Sequence, residues 1–184
     1  MSNDNREKLY RQIIEQHGKI VYSCTTDEKE IELISLWTKF RQIVSIILSA
    51  ITVSPAFPSL FNDNQLWKIF SAIAGIILLS ISSYNLKSNS EDKIEKLKES
   101  ANSLWIIRER YVSLLTDFDY LTTEQIRSER EELILEVAKV YKKRPKTSHC
   151  AYKRAQRALK NEEEQTFYRN EAELLLPSFF REEL

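Results

Sequence analysis

The chain has 184 residues, enough for one ordinary domain, and its 27 basic and 27 acidic side chains cancel overall but are spread very unevenly. It has only 2 Gly, Gly18 and Gly75, and because a phosphate-binding loop needs several neighbouring glycines, neither a P-loop nor a Rossmann fingerprint can form. No catalytic, cofactor-binding or metal-binding residue is predicted, since the cysteines and histidines lack the spacing for such sites: Cys24, Cys150, His17 and His149.

The first 41 residues predict two helices. Apolar positions within the charged stretch from Asp4 to Tyr22 favour a short amphipathic helix. The sequence Thr25-Thr26-Asp27 offers an N-cap for a second helix, which we expect to continue directly into the apolar segment that follows.

Two runs without a formal charge come next, Gln42–Asn62 and Ile69–Leu86. As helices they would be about 27 to 32 Å long, close to the bilayer core of about 30 Å. We therefore predict a transmembrane hairpin over residues 42–86, with spans at about 42–61 and 67–86, because the connection between them is very short. Aromatic side chains flank both spans, as interfacial anchors do: Trp37, Phe40, Trp67 and Tyr84. The alternative is a helical hairpin buried in a soluble core.

Basic residues predict the orientation of this hairpin. Lys39 and Arg41 precede the first span and several lysines follow the second, whereas Lys68 alone lies beside the connecting loop. The positive-inside rule then places residues 1–41 and 87–184, and with them both termini, in the cytoplasm. A cleaved signal peptide is disfavoured, because about 40 mostly polar residues precede the first apolar run.

Small and hydroxylated residues recur on one face of each predicted span. Their spacing suits close helix packing, but the same stripe could line a water-filled pore assembled from several copies, and the sequence leaves both interpretations open. These candidate packing or pore-lining residues are Ser45, Ser49, Thr52 and Ser59 in the first span and Ser71, Gly75 and Ser82 in the second.

The region 87–184 predicts a cytoplasmic helical or coiled-coil bundle together with the amino-terminal flank. A capping-box pattern at Ser88–Glu91 starts a helix with a heptad seam, from which we expect self-association into a homo-oligomer. The seam comprises Ile94, Leu97, Ala101, Leu104, Arg108, Tyr111, Leu115 and Phe118. A second capping box, Thr122–Gln125, starts another helix, which Pro145 ends.

A basic stretch follows, because no acid lies between Glu136 and Glu162. Its counter-charge could come from lipid headgroups, from an RNA or nucleotide partner, or from the acids that begin at Glu162. The candidate partner-binding residues are Lys142, Lys143, Arg144, Lys146, Lys153, Arg154 and Arg157.

The segment from Ala151 to Leu184 resembles the carboxy-terminal signature of the SLATT families, the SMODS and SLOG-associating two-transmembrane effector domains, and is most like the subfamily found beside reverse transcriptases. The residues that carry the resemblance are Tyr152, Ala155, Gln156, Ala158, Leu159, Phe167 and Pro177. The chain departs from the family pattern at Phe180, where leucine is usual. We expect Tyr152 to Phe167 to form an amphipathic helix.

This resemblance implies an all-α membrane protein that is not an enzyme and needs no cofactor. The family's members act in bacterial anti-phage defence at the inner membrane, where they are thought to form a pore or disrupt the bilayer. The implied partners are the lipid bilayer, further copies of the chain, and a sensor such as a reverse transcriptase or nucleotidyltransferase that triggers growth arrest or cell death. The alternative is a membrane scaffold that recruits a nucleic-acid-synthesising partner through the basic stretch. An enzyme is the weakest reading, since Asp117 and Asp119 lie on different faces of a helix.

Overall fold

A computed structural model describes residues 2–53, 65–165 and 171 of the protein. These ranges contain five helices and no strand, so the all-α prediction is confirmed for the part of the chain that is described. The helices are α1 (Ser2–Val53), α2 (Gln65–Lys87), α3 (Ser90–Thr116), α4 (Thr123–Lys143) and α5 (His149–Lys160).

The helices are divided between two compact units. Unit 1 comprises the described residues up to Glu30 and from Glu99 onward, and unit 2 comprises Ile31–Lys98. Both α1 and α3 therefore contribute residues to each unit.

The core of unit 1 is a helical bundle that joins the first part of α1 to α3 and α4. In α1, apolar residues such as Ile13 and Ile20 lie seven positions apart, and Ile126 and Leu133 have the same spacing in α4, which places each pair on one helix face. Full burial of each such side chain stabilises the fold by roughly 1.5–3 kcal/mol. The buried core cluster comprises Leu9, Ile13, Ile20, Cys24, Ala101, Leu104, Ile107, Tyr111, Leu114, Phe118, Ile126 and Leu133.

The predicted heptad seam forms the α3 side of this core. Ala101, Leu104, Tyr111 and Phe118 are all buried in one cluster with residues of α1 and α4. Arg108, which interrupts the seam, is half-buried. Because the chain itself covers this part of the seam, the predicted self-association would have to use another surface.

The start and end of α4 follow the predicted signals. The backbone N–H of Gln125 donates to Oγ1 of Thr122 at 3.3 Å, and the backbone N–H of Thr122 donates to Oε1 of Gln125 at 2.8 Å, which completes the capping box. The helix ends at Lys143, two residues before Pro145.

One predicted helix start is wrong. Thr25 and Thr26 do not cap a new helix, because they lie inside α1 and their hydroxyls donate to the carbonyl oxygens of Val21 and Tyr22, at 3.0 and 2.6 Å. Threonine hydroxyls can bond to the carbonyl four residues earlier, which lets an N-cap sequence remain helical. After the second apolar run, a new helix does start within Ser88–Glu91, since α2 ends at Lys87 and α3 begins at Ser90.

Candidate functional site

Helix α1 contains a stretch long and apolar enough to cross a membrane, and none of that stretch is buried within the protein. In α2 the described apolar stretch is shorter, Ala72–Asn85. Large aliphatic side chains on both helices are exposed: Ile43, Ile46, Ile47, Ile73, Ile76 and Leu79. Soluble proteins rarely expose so much contiguous apolar surface, so these helices suit lipid as their solvent.

The hydroxyl groups of the first predicted span bond to their own helix. Ser49 Oγ donates to the carbonyl oxygen of Ser45 at 2.8 Å, and Thr52 Oγ1 lies 3.0 Å from the carbonyl oxygens of both Leu48 and Ser49. Ser45 Oγ is enclosed and has no hydrogen-bond partner among the described residues. Because the hydroxyl groups of Ser49 and Thr52 have acceptors within their own helix, they can enter lipid without a partner helix at a lower free-energy cost than unbonded hydroxyls would have.

The small residues of α2 are arranged differently. Ala74 is buried within unit 2, whereas Ser82 is exposed. A Cβ atom added at Gly75 would meet no atom within 4 Å, so Gly75 is not needed for a close approach within the described part of the chain. Ser59 and the side chain of Ser71 lie outside what is described. Helix packing and pore lining therefore both stay open as predictions for these residues.

Aromatic and basic side chains meet where the first uncharged run begins and the second ends. The guanidinium of Arg41 lies over the ring of Tyr84, 5.0 Å from its centroid, and Trp37 packs edge-to-face on Phe40 at 6.0 Å. Since Arg41 precedes the first run and Tyr84 lies near the end of the second, this contact joins the start of one run to the end of the other. The side chain of Trp67 lies outside the described residues.

In unit 1, a buried ion pair links the middle of α1 to the end of α4. Arg144 Nε donates to both carboxylate oxygens of Asp27, at 2.8 and 3.0 Å, and a terminal nitrogen of the same guanidinium donates to the carbonyl oxygen of Ser23 at 3.1 Å. Ser100 Oγ donates to Asp27 at 2.8 Å. Burial raises the pKa of Asp27, and the bonds from Arg144 and Ser100 oppose that rise.

A second acid on the same face of α1 caps α5. Glu30 accepts hydrogen bonds from the backbone N–H and the hydroxyl of Ser148, at 3.0 and 2.6 Å. Ser148 is the N-cap of α5, since its hydroxyl also accepts the backbone N–H of Ala151 at 3.2 Å. Asp27 and Glu30 thus hold the two ends of the linker between α4 and α5. We call this group of five residues the linker clamp: Asp27, Glu30, Ser100, Arg144 and Ser148.

The segment after α5 folds back against α1 and α3 within unit 1. The predicted helix from Tyr152 to Phe167 is wrong in its end, because α5 stops at Lys160 and Gln165 has a positive φ of 70°. The side-chain amide of Gln165 donates to Thr25 Oγ1 at 3.2 Å and its oxygen accepts from Arg108 at 2.8 Å. The polar residue within the heptad seam therefore holds this turn.

The predicted basic stretch is divided between internal and exposed residues. Arg144 belongs to the linker clamp, and Arg157 forms an ion pair with Glu162 at 3.0 Å, which is one of the three sources of counter-charge that the sequence left open. Arg157 is itself exposed, as are the other candidates: Lys142, Lys143, Lys146, Lys153 and Arg154. Beside them, the exposed ring of Tyr152 stacks with Tyr22 and His149, at 6.2 and 6.5 Å between centroids.

The residues that carry the family resemblance lie mainly on α5. Ala155 and Ala158 are buried, while Leu159 and Gln156 are half-buried and Tyr152 is exposed. These alanines fix the packing of α5 rather than forming a reactive site. Phe167 and Pro177 lie outside the described residues.

The two cysteines differ in their surroundings. Burial raises the pKa of the Cys24 thiol to about 11, and its sulfur donates to the carbonyl oxygen of Ala101 at 3.5 Å. Cys150 is exposed. Within the described ranges, no three histidine, cysteine or acidic side chains are grouped to hold a metal ion.

The linker clamp was not predicted from the sequence, although one signal for it is present. Ile13, Ile20 and Asp27 are spaced seven residues apart, so Asp27 occupies a position that the helix period assigns to the core. An acid at such a position requires a buried partner. Only the fold shows that this partner is Arg144, 117 residues away in the chain.

Comparison with known proteins agrees with this architecture. The sequence model of one family, described as SMODS and SLOG-associating 2TM effector domain family 4, matches residues 9–171. No curated protein and no solved structure matches the chain. The finer likeness to the reverse-transcriptase-associated subfamily is not confirmed by this match. The match spans most of the chain, which therefore belongs to the SLATT domain family, a family of two-transmembrane effector domains associated with defence systems.

Proposed function

We propose that this chain is an inner-membrane effector of a bacterial anti-phage defence system. Its two apolar helices span the membrane as a hairpin with both termini in the cytoplasm. When a sensor partner is triggered, several copies assemble and open a pore or disrupt the bilayer, which stops growth or kills the cell. Catalysis plays no part in this function.

The observation that carries the proposal is the exposed apolar surface of unit 2. Isoleucines of α1 and α2 face outward and the apolar stretch of α1 has no buried residue, as expected for helices whose surroundings are lipid. The contact of Arg41 with Tyr84 joins the start of the first run to the end of the second, which supports a hairpin, and the position of these two side chains suits a membrane interface.

The linker clamp suggests how a signal reaches the membrane. The clamp bonds the α4–α5 linker to α1 at Asp27 and Glu30, and α1 is a single helix from Ser2 to Val53. A partner that pulls on α5 would break or strengthen bonds to the same helix that contains the first apolar run. The proposed signal is therefore a displacement of α1.

The test is the membrane potential of bacterial cells, read with a voltage-sensitive dye. Cells carrying the chain with its neighbouring genes are compared before and after phage infection. We expect depolarisation after infection, and we expect Ser49→Asp and Gly75→Asp to abolish it, because a charge in a span costs several kcal/mol in lipid. Ser113→Asp, at an exposed position of unit 1, is the matched control and should leave depolarisation unchanged.

The outcome separates an effector from a scaffold. Loss of potential that requires intact spans supports the effector, provided that each variant chain remains in the membrane fraction. An unchanged potential after infection, with the protein present in the membrane, contradicts pore formation and favours the scaffold.

The exposed basic residues favour the scaffold, the second candidate function, in one respect. Lys153 and Arg154 lie exposed beside the ring of Tyr152, a combination that suits binding to an acidic partner or to nucleic acid. Reversing both charges should release a nucleic-acid-synthesising partner from the membrane in co-sedimentation. If toxicity of the overproduced chain persists in that variant, the basic surface regulates an effector rather than defining a scaffold.

A further inference from the structure

A polar cavity of about 440 Å³ lies within unit 2, where the first uncharged run begins and the second ends. Three elements line it: Arg41 comes from α1, Asn85 from α2, and Glu91 and Asp92 from the first turn of α3. The cavity thus has a cation and two acids on its wall. A ligand that carries both signs of charge would complement it better than a simple anion.

Arg41 supplies the positive side of the cavity. Its guanidinium packs over Tyr84, and one terminal nitrogen donates to Thr38 Oγ1 at 3.3 Å. Its Nε is enclosed and has no hydrogen-bond acceptor among the described residues. Because Arg41 is half-buried and lines the cavity while its Nε is enclosed, the terminal nitrogens of the guanidinium are the donors that an oxygen from outside the chain would meet.

The start of α3 supplies both further donors and the negative side. The backbone N–H of Lys93 donates to the carbonyl oxygen of Asn89 at 3.0 Å, so the N–H groups of the preceding turn have no acceptor within the helix. Such groups bind phosphate oxygens well. Lys96 neutralises Asp92 at 2.7 Å, which makes Glu91 the carboxylate better able to bind a cation.

We propose that this cavity binds the headgroup of a phospholipid in which the phosphate is joined to a primary ammonium, as in phosphatidylethanolamine. The phosphate lies beside Arg41 and the first turn of α3, and the ammonium donates to Glu91. The proposal rests on the proposed function, because the cavity meets headgroups only if the two apolar runs lie in a membrane.

The charges on the cavity wall disfavour the other common headgroups. Phosphatidylglycerol brings a phosphate that Arg41 could bind, but it has no cation for Glu91, which would therefore repel the net negative charge of this lipid. Phosphatidylcholine has a quaternary ammonium with no N–H donor, so it cannot form a charge-assisted hydrogen bond with Glu91.

The test counts lipids that remain bound to the full chain. The protein is purified from membranes, mixed with equimolar phosphatidylethanolamine, phosphatidylcholine and phosphatidylglycerol, and analysed by native mass spectrometry. Wild type should retain phosphatidylethanolamine about tenfold over each competitor, the effect of one charge-assisted hydrogen bond. Arg41→Gln should lower retention of all three lipids, whereas Glu91→Gln should abolish only the preference and raise phosphatidylglycerol.

Lys39→Gln and Glu95→Gln are the matched controls, because both residues are exposed and neither lines the cavity. They should leave the lipid preference unchanged. The proposal is overturned if wild type shows no preference, if Glu91→Gln keeps it, or if the controls lose it equally. Extraction of membranes with alkaline carbonate separates the two proposals: a wild-type chain that leaves the membrane refutes the spans, whereas a chain that stays without lipid preference refutes only the headgroup site.

Discussion

Removing Arg144 should destabilise unit 1 far more than removing any exposed base. Arg144→Met deletes every bond that the guanidinium makes, including the two from Nε to Asp27 at 2.8 and 3.0 Å and the one to the Ser23 carbonyl at 3.1 Å. Asp27 has no exposed surface, so its charge would remain buried without a cation, although Ser100 would still donate one hydrogen bond to it.

Breaking a buried pair in this way costs about 3–5 kcal/mol, because the remaining charge keeps its desolvation penalty. At about 2–4 °C per kcal/mol for a chain of this size, even the lower figure predicts a fall of about 6–12 °C in the unfolding midpoint. Arg144→Lys should lower the unfolding midpoint less, because lysine keeps the positive charge although it cannot reproduce the hydrogen bonds of the guanidinium to both oxygens of Asp27. Combining Arg144→Gln with Asp27→Asn should cost less than the sum of the two single changes.

The assay is thermal unfolding of the full chain in mild detergent, followed by far-ultraviolet circular dichroism. Lys8→Met is the matched control, since Lys8 pairs with Asp4 at 2.5 Å but both side chains are 69% exposed. Its midpoint should not change measurably. The reasoning is refuted if Arg144→Met shifts the midpoint no further than Lys8→Met does.

The same variant has a defined pH dependence. Burial already raises the pKa of Asp27 above its ordinary value of 3.8, and loss of Arg144 removes the main opposing contact, so the pKa rises further. A carboxyl whose folded pKa is raised binds more protons in the folded state, so stability falls as pH rises from the unfolded toward the folded pKa. The loss of folding stability in Arg144→Met relative to the wild type should therefore be smaller at pH 5 than at pH 8. Equal losses at the two pH values would contradict an uncompensated charge.

Three further predictions follow from single positions. A maleimide at pH 7 should label Cys150 but not Cys24 in the folded chain, and both after denaturation; rapid labelling of Cys24 would contradict its burial. Gly75→Ala should preserve or raise the unfolding midpoint, because an added Cβ meets no atom within 4 Å and alanine favours helix by about 1 kcal/mol; loss of depolarisation with intact stability would assign Gly75 to a contact between copies. Thr122→Ala should cost about 1 kcal/mol through loss of the capping box with Gln125, measured by the same thermal unfolding, and an unchanged midpoint would mean that this helix start contributes nothing.

The sequence was informative where a local signal decides the structure. The capping box at Thr122 and the stop before Pro145 depend on neighbouring residues, and both were predicted. The helical period likewise identified one buried face of α3, including Leu104 and Tyr111. These features need no knowledge of the rest of the fold.

Prediction failed where a distant partner changes the meaning of a residue. Asp27 looked like part of a helix start, but Arg144 makes it tolerable inside α1. Gln165 lies within a segment predicted to be helical, yet its bonds to Thr25 and Arg108 hold a turn instead. Such pairings depend on three-dimensional packing, which local patterns do not encode.

The division of the chain into units also sets an order of events during synthesis. Leu9, Ile13 and Ile20 need α3 and α4 to complete their core, and the whole of unit 2 separates them along the chain. At about 5–20 residues per second, the ribosome delivers those partners about 4–25 seconds after the first helix emerges. On the proposed function, the apolar runs meet the bilayer within this interval, so they insert before unit 1 can fold. Unit 1, which receives the signal, is therefore completed only after the apolar runs that respond to the signal are already in the membrane.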